Sequence, residues 1–302
     1  MNTAIACLLA LGLTSGHAHA QDAHAEHAQS TPAAPSTQSP TPAAPRSGID
    51  ALPADEDQAR AALDKSPRHG EYADVAIAGG APVRAWVVYP ERSDKAPVVI
   101  VIHEIFGLSD WIRAVADQFA RDGFIAIAPD LLSGKGPGQK GTDAFASRDD
   151  VVNAVRGLDP GEVTARLDAV RDYGLKLPAS NGRTVSVGFC WGGSTSFRYA
   201  TTQPALDAAV VFYGSSPETP ALAAVKAPVL GLYGGDDARV NATIDAARAE
   251  LTRLGRTYET EIYAGAGHGF LRQQTGREGA NMKATEAAWP RVLAFVRAHA
   301  AR

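Results

Sequence analysis

The pattern of apolar and polar positions changes at about residue 71. From there to the C-terminus, short apolar runs alternate with longer amphipathic stretches, which is typical of strands alternating with helices. Residues 97–103 contain the continuous run Val-Val-Ile-Val-Ile, as expected for a strand that is buried on both faces. The alternation predicts an α/β domain whose central sheet is mostly parallel and carries helices on both faces.

The individual elements follow from the same pattern together with turn and cap residues. Strands are predicted at 72–78, 83–89, 97–103, 124–128, 184–187, 208–213, 229–233 and 258–263. Helices are predicted at 110–122, 144–156, 160–175, 191–201, 241–254 and 283–300. In such a sheet, active sites form at the carboxyl ends of the strands, so polar residues that follow strands are the candidates for function.

The first twenty residues resemble a secretory leader. The apolar run from Ala4 to Leu13 is followed by Ala-His-Ala at 18–20, which fits a signal-peptidase site, although residues 1–13 contain no Lys or Arg. The run is too short to span a bilayer. We therefore expect a signal peptide at 1–20 and a periplasmic or secreted mature protein, with a cytoplasmic protein as the alternative.

Residues 21–66 are predicted to form an Ala/Pro-rich disordered linker, followed by the α/β domain at 67–302. The last part of the linker, 49–66, is weakly helical and either packs on the domain or frames the linker. His24 and His27 are compatible with a weak metal site, but a solvated tail is the favoured interpretation.

The amino-acid composition of the chain limits the kinds of molecule that it is expected to bind. The chain of 302 residues is 45% hydrophobic and 21% charged, as in an ordinary globular protein. Its net charge is −4 and it has no basic cluster, which argues against a nucleic-acid partner. We expect a monomer without a membrane span that acts on a small molecule.

Cysteine usage points to one residue. Of the two cysteines, Cys7 lies in the predicted leader, so Cys190 is the only thiol of the predicted mature protein. A lone cysteine is usually a small buried apolar residue. Here it lies in Gly-Phe-Cys-Trp-Gly-Gly at 188–193, between a predicted strand and a predicted helix. Small neighbours are what a nucleophile at a strained strand-to-helix turn requires, and the helix N-terminus favours a thiolate.

Two later loops carry residues that fit a nucleophile's partners. His268 follows the last strand within a glycine-rich loop and is placed to act as a general base. Asp236 and Asp237 follow the preceding strand, and one of them is expected to orient the histidine. Asp237 is favoured, with Asp236 as the alternative.

The sequence His-Glu-Ile-Phe-Gly at 103–107 closes the third strand. The backbone N–H groups of Ile105 and Trp191 are the candidate oxyanion donors. Glu104 is unusual beside such donors, and it is expected either to form a structural ion pair or to interact with the thiol. Arg272, four residues after His268, is a candidate ligand for a substrate carboxylate, with a solvated surface arginine as the alternative.

From about residue 71 to the C-terminus, the chain resembles the dienelactone hydrolases (carboxymethylenebutenolidases), which have the α/β-hydrolase fold. The resemblance rests on His-Glu-Ile-Phe-Gly at 103–107, Pro-Asp-Leu at 129–131, Gly-Phe-Cys-Trp-Gly-Gly at 188–193, Gly-x-x-Asp at 234–237 and Gly-His-Gly-Phe-Leu-Arg at 267–272. It implies a triad of Cys190, Asp237 and His268. It also implies that Glu104 pairs with the resting thiol and moves when substrate binds.

The same resemblance makes Arg272 one of two arginines that hold the substrate carboxylate. The second arginine of the family is missing here, where residues 132–136 read Leu-Ser-Gly-Lys-Gly, with Lys135 one position away. Lysine does not provide the bidentate fork of arginine.

The function expected from the sequence is cysteine-dependent hydrolysis of an ester or enol-lactone through an acyl-enzyme on Cys190, with no metal or organic cofactor. One alternative is a broad carboxylesterase or thioesterase that uses the same triad. The other is a non-catalytic or redox-sensing member of the fold.

Overall fold

The computed structural model describes residues 52–300. Its strands are β1 (Gly70–Val75), β2 (Val83–Val88), β3 (Ala96–Ile102), β4 (Ile125–Pro129), β5 (Ser180–Phe189), β6 (Ala208–Phe212), β7 (Val229–Gly234) and β8 (Tyr258–Tyr263). Its α-helices are α1 (Ala59–Lys65), α2 (Asp110–Arg121), α3 (Arg148–Arg156), α4 (Pro160–Lys176), α5 (Trp191–Thr202), α6 (Ala238–Asn241), α7 (Ile244–Arg253) and α8 (Ala280–Ala300). The predicted leader and the first part of the predicted linker lie outside the described residues.

The strands form one eight-stranded sheet in the order β1-β2-β4-β3-β5-β6-β7-β8. β1 pairs with β2, and β2 with β4, in antiparallel fashion. All pairs from β4 through β3 to β8 are parallel. The fold class predicted from the sequence, a mostly parallel sheet of the α/β-hydrolase type, is therefore confirmed.

The core forms two layers because side chains of a strand alternate between the faces of the sheet. On β3, Val99 and Val101 pack into the layer that contains α2 and α8, including Trp289. Ile100 and Ile102 point to the opposite layer, which contains α4, α5 and α7. Every residue of β3 is buried, as the continuous apolar run predicts. Parallel strands covered on both faces place their carboxyl ends along one edge.

Local capping explains where the observed helices differ from the predicted ones. The helix predicted at 144–156 begins only at Arg148, because Ser147 caps it by accepting a hydrogen bond from the N–H of Asp150 at 3.1 Å. The helix predicted at 241–254 corresponds to α7, which begins only at Ile244, and the short helix α6 (Ala238–Asn241) lies before it. Asp237 caps α6, whereas the sequence pattern alone gave no sign of this short helix.

Residues 52–66 are part of the folded domain, which corrects the predicted linker boundary at 66. Ala59 of α1 is fully buried. The indole N–H of Trp111 donates to the carbonyl of Ala54 at 3.1 Å, and the amide of Gln274 donates to the carbonyl of Pro53 at 2.8 Å. These contacts join the segment to distant parts of the chain. Of the two alternatives for the weakly helical residues before 67, packing on the domain is therefore the one observed for 52–66.

None of the α-helices within residues 52–300 is both long enough and apolar enough to span a membrane.

Candidate active site

Cys190 lies at a sharp turn between β5 and α5. Its backbone has φ 55° and ψ −115°, a conformation that is costly for a residue with a side chain. A Cβ atom on Gly188 would lie 1.9 Å from the carbonyl oxygen of Gly192. A Cβ atom on Gly192 would lie 2.3 Å from the carbonyl oxygens of Ile102 and His103. The two glycines therefore allow the turn, which holds the thiol at the carboxyl edge of the sheet.

An acid–imidazole pair lies on the loops that follow β7 and β8. Oδ2 of Asp237 is 2.6 Å from Nδ1 of His268. The other carboxylate oxygen, Oδ1, accepts a hydrogen bond from the N–H of Val240 at 3.5 Å, so the cap of α6 fixes the orientation of the carboxylate. Asp236 pairs instead with Arg277 at 3.1 Å. Of the two candidates, the structure brings Asp237 to the histidine.

Two backbone N–H groups act on the thiol of Cys190. The N–H groups of Trp191 and Ile105 both act as hydrogen-bond donors toward the thiolate and lower its pKa. Trp191 begins α5, and Ile105 lies in the loop after β3. These are the donors selected from the sequence. Both N–H groups thus act on Cys190 from two different elements, as the two donors of an oxyanion site are expected to do.

His103 is fully buried and joins the ends of β3 and β4. Its Nδ1 is 2.7 Å from the carbonyl oxygen of Glu104, and its Nε2 accepts from the N–H of Leu131 at 3.3 Å. Burial lowers the pKa of His103, so the ring is neutral and donates through Nδ1. The ring also stacks on Trp191, with 5.5 Å between centroids. His103 thereby positions both segments that supply the backbone donors.

Glu104 is almost entirely buried beside the thiol. It is 3% exposed, and its Oε2 lies 2.7 Å from Nε of Arg272. Burial raises the pKa of Glu104 to about 7, while the positive charge of Arg272 opposes that rise. The carboxyl group is therefore poised to gain or lose its proton near neutral pH.

Burial raises the pKa of Cys190 to about 11, and the negative charge of Glu104 adds to the rise. The hydrogen bonds from Trp191 and Ile105 act in the opposite direction. The sequence analysis expected the helix N-terminus to favour the thiolate. In the structure, desolvation and the neighbouring carboxylate outweigh that effect, so the thiol is protonated at rest.

Glu104→Gln is expected to make Cys190 react faster with iodoacetamide. Removing the negative charge lowers the pKa of the thiol, and the thiolate fraction at pH 8 rises roughly tenfold for each unit that the pKa falls. Mass spectrometry of timed samples from pH 7 to 10 measures the rate. Glu162→Gln, which removes a carboxylate that pairs with Lys135, is the control. An equal or slower rate for Glu104→Gln would contradict the assignment.

The two cations that the sequence linked to a substrate carboxylate are paired within the protein. Arg272 contacts Glu104 through Nε and Glu56 through Nη1. Nζ of Lys135 lies 2.8 Å from Oε2 of Glu162. The role of Arg272 as a ligand for a substrate carboxylate stays a prediction. A substrate carboxylate would compete with Glu56 and Glu104 for its guanidinium group.

Sequence reasoning missed Tyr213. This residue directly follows β6, has a φ of 40° and is fully buried. Its ring packs against His268 with 5.1 Å between centroids. Burial raises the pKa of its hydroxyl well above the ordinary value, and the charges of Glu104 and Cys190 raise it further. The predicted strand at 208–213 included Tyr213, which hid its position at the carboxyl edge.

Glu56 and Arg148 were also missed. Glu56 lies in the segment predicted to be a linker, and Arg148 lies in a predicted helix. In the structure the two side chains pair at 3.0 Å. The guanidinium of Arg148 lies 3.6 Å from the centre of the Phe106 ring, and that of Arg272 lies 5.1 Å from it. No sequence motif marks either residue, since their proximity depends on how distant segments pack.

The sheet order, the turn at Cys190 and the Asp237–His268 pair at the same edge define the class of protein as an α/β hydrolase. The model of the dienelactone hydrolase family matches residues 83–300. Because this range covers more than half of the chain, the protein belongs to the dienelactone hydrolase family. The resemblance inferred from the motifs is confirmed.

Relatives agree with this assignment. A protein of Saccharolobus solfataricus with the provisional name carboxymethylenebutenolidase is 33% identical over 251 residues, which cover 72% of this chain and 95% of that protein. A crystal structure from Klebsiella pneumoniae, provisionally named a dienelactone hydrolase, has a TM-score of 0.67 at 28% identity and covers 75% of this chain and 97% of that one.

The fold extends to more distant structures. The acylaminoacyl peptidase of Pyrococcus horikoshii has a TM-score of 0.60 at 14% identity, with 80% of this chain and 44% of that chain covered. At this level of identity, the likeness concerns the fold alone.

Proposed function

We propose that this protein hydrolyses carboxylic esters or enol-lactones through a thioester formed on Cys190. The observation that carries the proposal is the strained turn that holds Cys190 between β5 and α5. It is supported by the N–H groups of Trp191 and Ile105, which lower the pKa of the thiol, and by the pairing of His268 with Asp237 on the loops that follow β7 and β8. Membership of the dienelactone hydrolase family supports the same substrate class.

The reaction is proposed to proceed in two stages. The thiol proton passes to Nε2 of His268, and the sulfur forms a bond to the substrate carbonyl carbon while the N–H groups of Ile105 and Trp191 stabilise the oxyanion. When the oxyanion collapses, the carbon–oxygen bond of the ester breaks, and the leaving alkoxide takes the proton from His268. Asp237 holds the ring in the tautomer that both transfers need.

Water completes the cycle. In the second stage His268 removes a proton from water, the resulting hydroxide attacks the thioester carbon, and the sulfur leaves and regains the proton. The resting thiol is protonated, because burial and the charge of Glu104 raise its pKa. This property supports a hydrolase whose thiol is protected between turnovers. It disfavours the alternative of a redox sensor, which needs a thiolate at rest.

The acyl-enzyme can be detected directly. Rapid acid quenching of the protein with 4-nitrophenyl acetate, followed by intact-mass and peptide mass spectrometry, is expected to show one acetyl group on the peptide that contains Cys190. The group forms a thioester, so neutral hydroxylamine should remove it. Cys190→Ala should carry no acetyl group under the same conditions. Turnover without any acyl group on Cys190 would overturn the proposal.

A further inference from the structure

Three charged side chains and one aromatic ring lie together at the rim of the candidate site. We call Glu56, Arg148, Arg272 and Phe106 the rim cluster, and Glu104 lies beneath it. Glu56 contacts Nη1 of Arg272 and Nη2 of Arg148. Phe106 lies against both guanidinium groups. The result is one carboxylate held between two arginines at the edge of the site.

The backbone of the N-terminal segment fixes the position of Glu56. The N–H of Glu56 donates to the carbonyl of Arg272 at 2.9 Å. Two carbonyls shortly before it, those of Pro53 and Ala54, accept hydrogen bonds from Gln274 and Trp111, respectively. The carboxylate is therefore supplied by a segment whose backbone is hydrogen-bonded at three of the four positions from 53 to 56.

The charges of this group balance without a substrate. Arg148 and Arg272 supply two positive charges, and Glu56 and Glu104 supply two negative charges when both are ionised. The side chain of Arg272 is only 11% exposed, so its pairing is less screened by water than that of a surface arginine. An incoming carboxylate must compete with Glu56 for Nη1 of the largely buried Arg272 and for Nη2 of Arg148, and it must also approach Glu104.

We propose that Glu56 is a specificity-determining residue that occupies the place of a substrate carboxylate on Arg272 and Arg148. The site then favours substrates that are uncharged at the end facing the rim cluster. This inference rests on the proposed ester hydrolysis, and it names the substrate class as neutral esters or lactones. Glu56 precedes the range 83–300 that matches the family model, so the segment that supplies it lies outside the family match.

Two substrates that differ by one carboxylate test the inference. They are 4-nitrophenyl hydrogen succinate, which is anionic, and its methyl ester, which is neutral. The ratio of kcat/KM for the anionic over the neutral ester is measured for the full chain. Glu56→Gln is expected to raise this ratio by about tenfold or more, because it frees a charge-assisted contact for the substrate carboxylate.

Asp57→Asn is the matched control. Asp57 is exposed and adjacent to Glu56, so its replacement removes the same charge one residue away. Asp57→Asn is expected to leave the ratio unchanged within about twofold, which is the scale of screened surface charges. Equal effects of the two variants would show a general charge effect and would overturn the inference.

A binding measurement separates this inference from the proposed function. Isothermal titration with monomethyl succinate is expected to show tighter binding to Glu56→Gln than to the wild type by about tenfold. If neither ester is hydrolysed, the proposed function fails, and the titration still decides whether Glu56 excludes an anion.

A wild type that prefers the anionic ester, with Glu56→Gln unchanged in ratio and in titration, would overturn the inference. Such a result would direct attention to Arg239, whose positive charge acts on the sulfur of Cys190.

Discussion

Cys190→Ala is expected to lower kcat/KM for 4-nitrophenyl acetate by at least about a thousandfold. The substitution removes the sulfur that is proposed to attack the substrate and that lies at the strained turn before α5. Without a nucleophile, the remaining groups only polarise the carbonyl and orient water, which leaves a small residual rate. Release of 4-nitrophenolate measured under substrate-limiting conditions gives the ratio.

Cys7→Ala is the matched control for that experiment. It removes the other cysteine of the chain, which lies in the predicted leader, and it is expected to leave kcat/KM unchanged. Urea unfolding of Cys190→Ala must give a midpoint close to that of the wild type, so that lost activity is not lost structure. If Cys190→Ala retained more than about a tenth of the wild-type value, the thiol would not be the nucleophile.

Gly192→Ala is expected to lower the free energy of unfolding by at least about 3 kcal/mol. The added Cβ atom would lie 2.3 Å from the carbonyl oxygens of Ile102 and His103. Backbone oxygens at the end of a buried central strand cannot move aside as a flexible side chain can. The N-terminus of α5 must shift instead, and with it Cys190 and the N–H of Trp191. Equilibrium urea unfolding followed by circular dichroism measures the loss.

Gly157→Ala is the control for the substitution at Gly192. Gly157 ends α3 with φ −83°, and a Cβ atom there would lie 3.5 Å from the nearest carbonyl oxygens, which is an ordinary contact. Its free energy of unfolding is expected to change by less than about 1 kcal/mol. Similar losses for both variants would mean that any alanine in place of a glycine is harmful, and the close approach at Gly192 would not be the cause.

The pattern of apolar and polar residues predicted the central sheet because burial and strand length are visible in consecutive residues of the sequence. The apolar run of β3 and the spacing of the later strands report burial and strand length directly. The glycines around Cys190 indicated the turn because only glycine permits the close approaches seen at Gly188 and Gly192. The order of residues along the chain did not decide whether Asp236 or Asp237 orients His268. The two residues differ in that Asp237 caps α6 by accepting a hydrogen bond from the N–H of Val240. This cap depends on a helix of only four residues, which the sequence pattern did not predict.

The remaining features depend on packing between distant segments. α1 and the turn before it are held by Trp111 and Gln274, which follow them by more than fifty residues in the chain. The elevated pKa of Cys190 results from burial and from a carboxylate on another strand end. Neither the burial of the thiol nor its proximity to Glu104 can be inferred from the residues adjacent to Cys190. The sequence motif therefore overstated the acidity of the thiol, although it located the turn correctly.

The N-terminal segment changes where a recombinant fragment of this protein should begin. The family match starts at residue 83, which is also the first residue of β2. A fragment cut there would lose β1 and expose the backbone donors and acceptors of β2 as an open sheet edge, which invites aggregation. It would also lose the carbonyls that bind Trp111 and Gln274, and Arg272 would keep only its buried partner. The smallest fragment that keeps β1 and these contacts of the N-terminal segment therefore begins no later than residue 53.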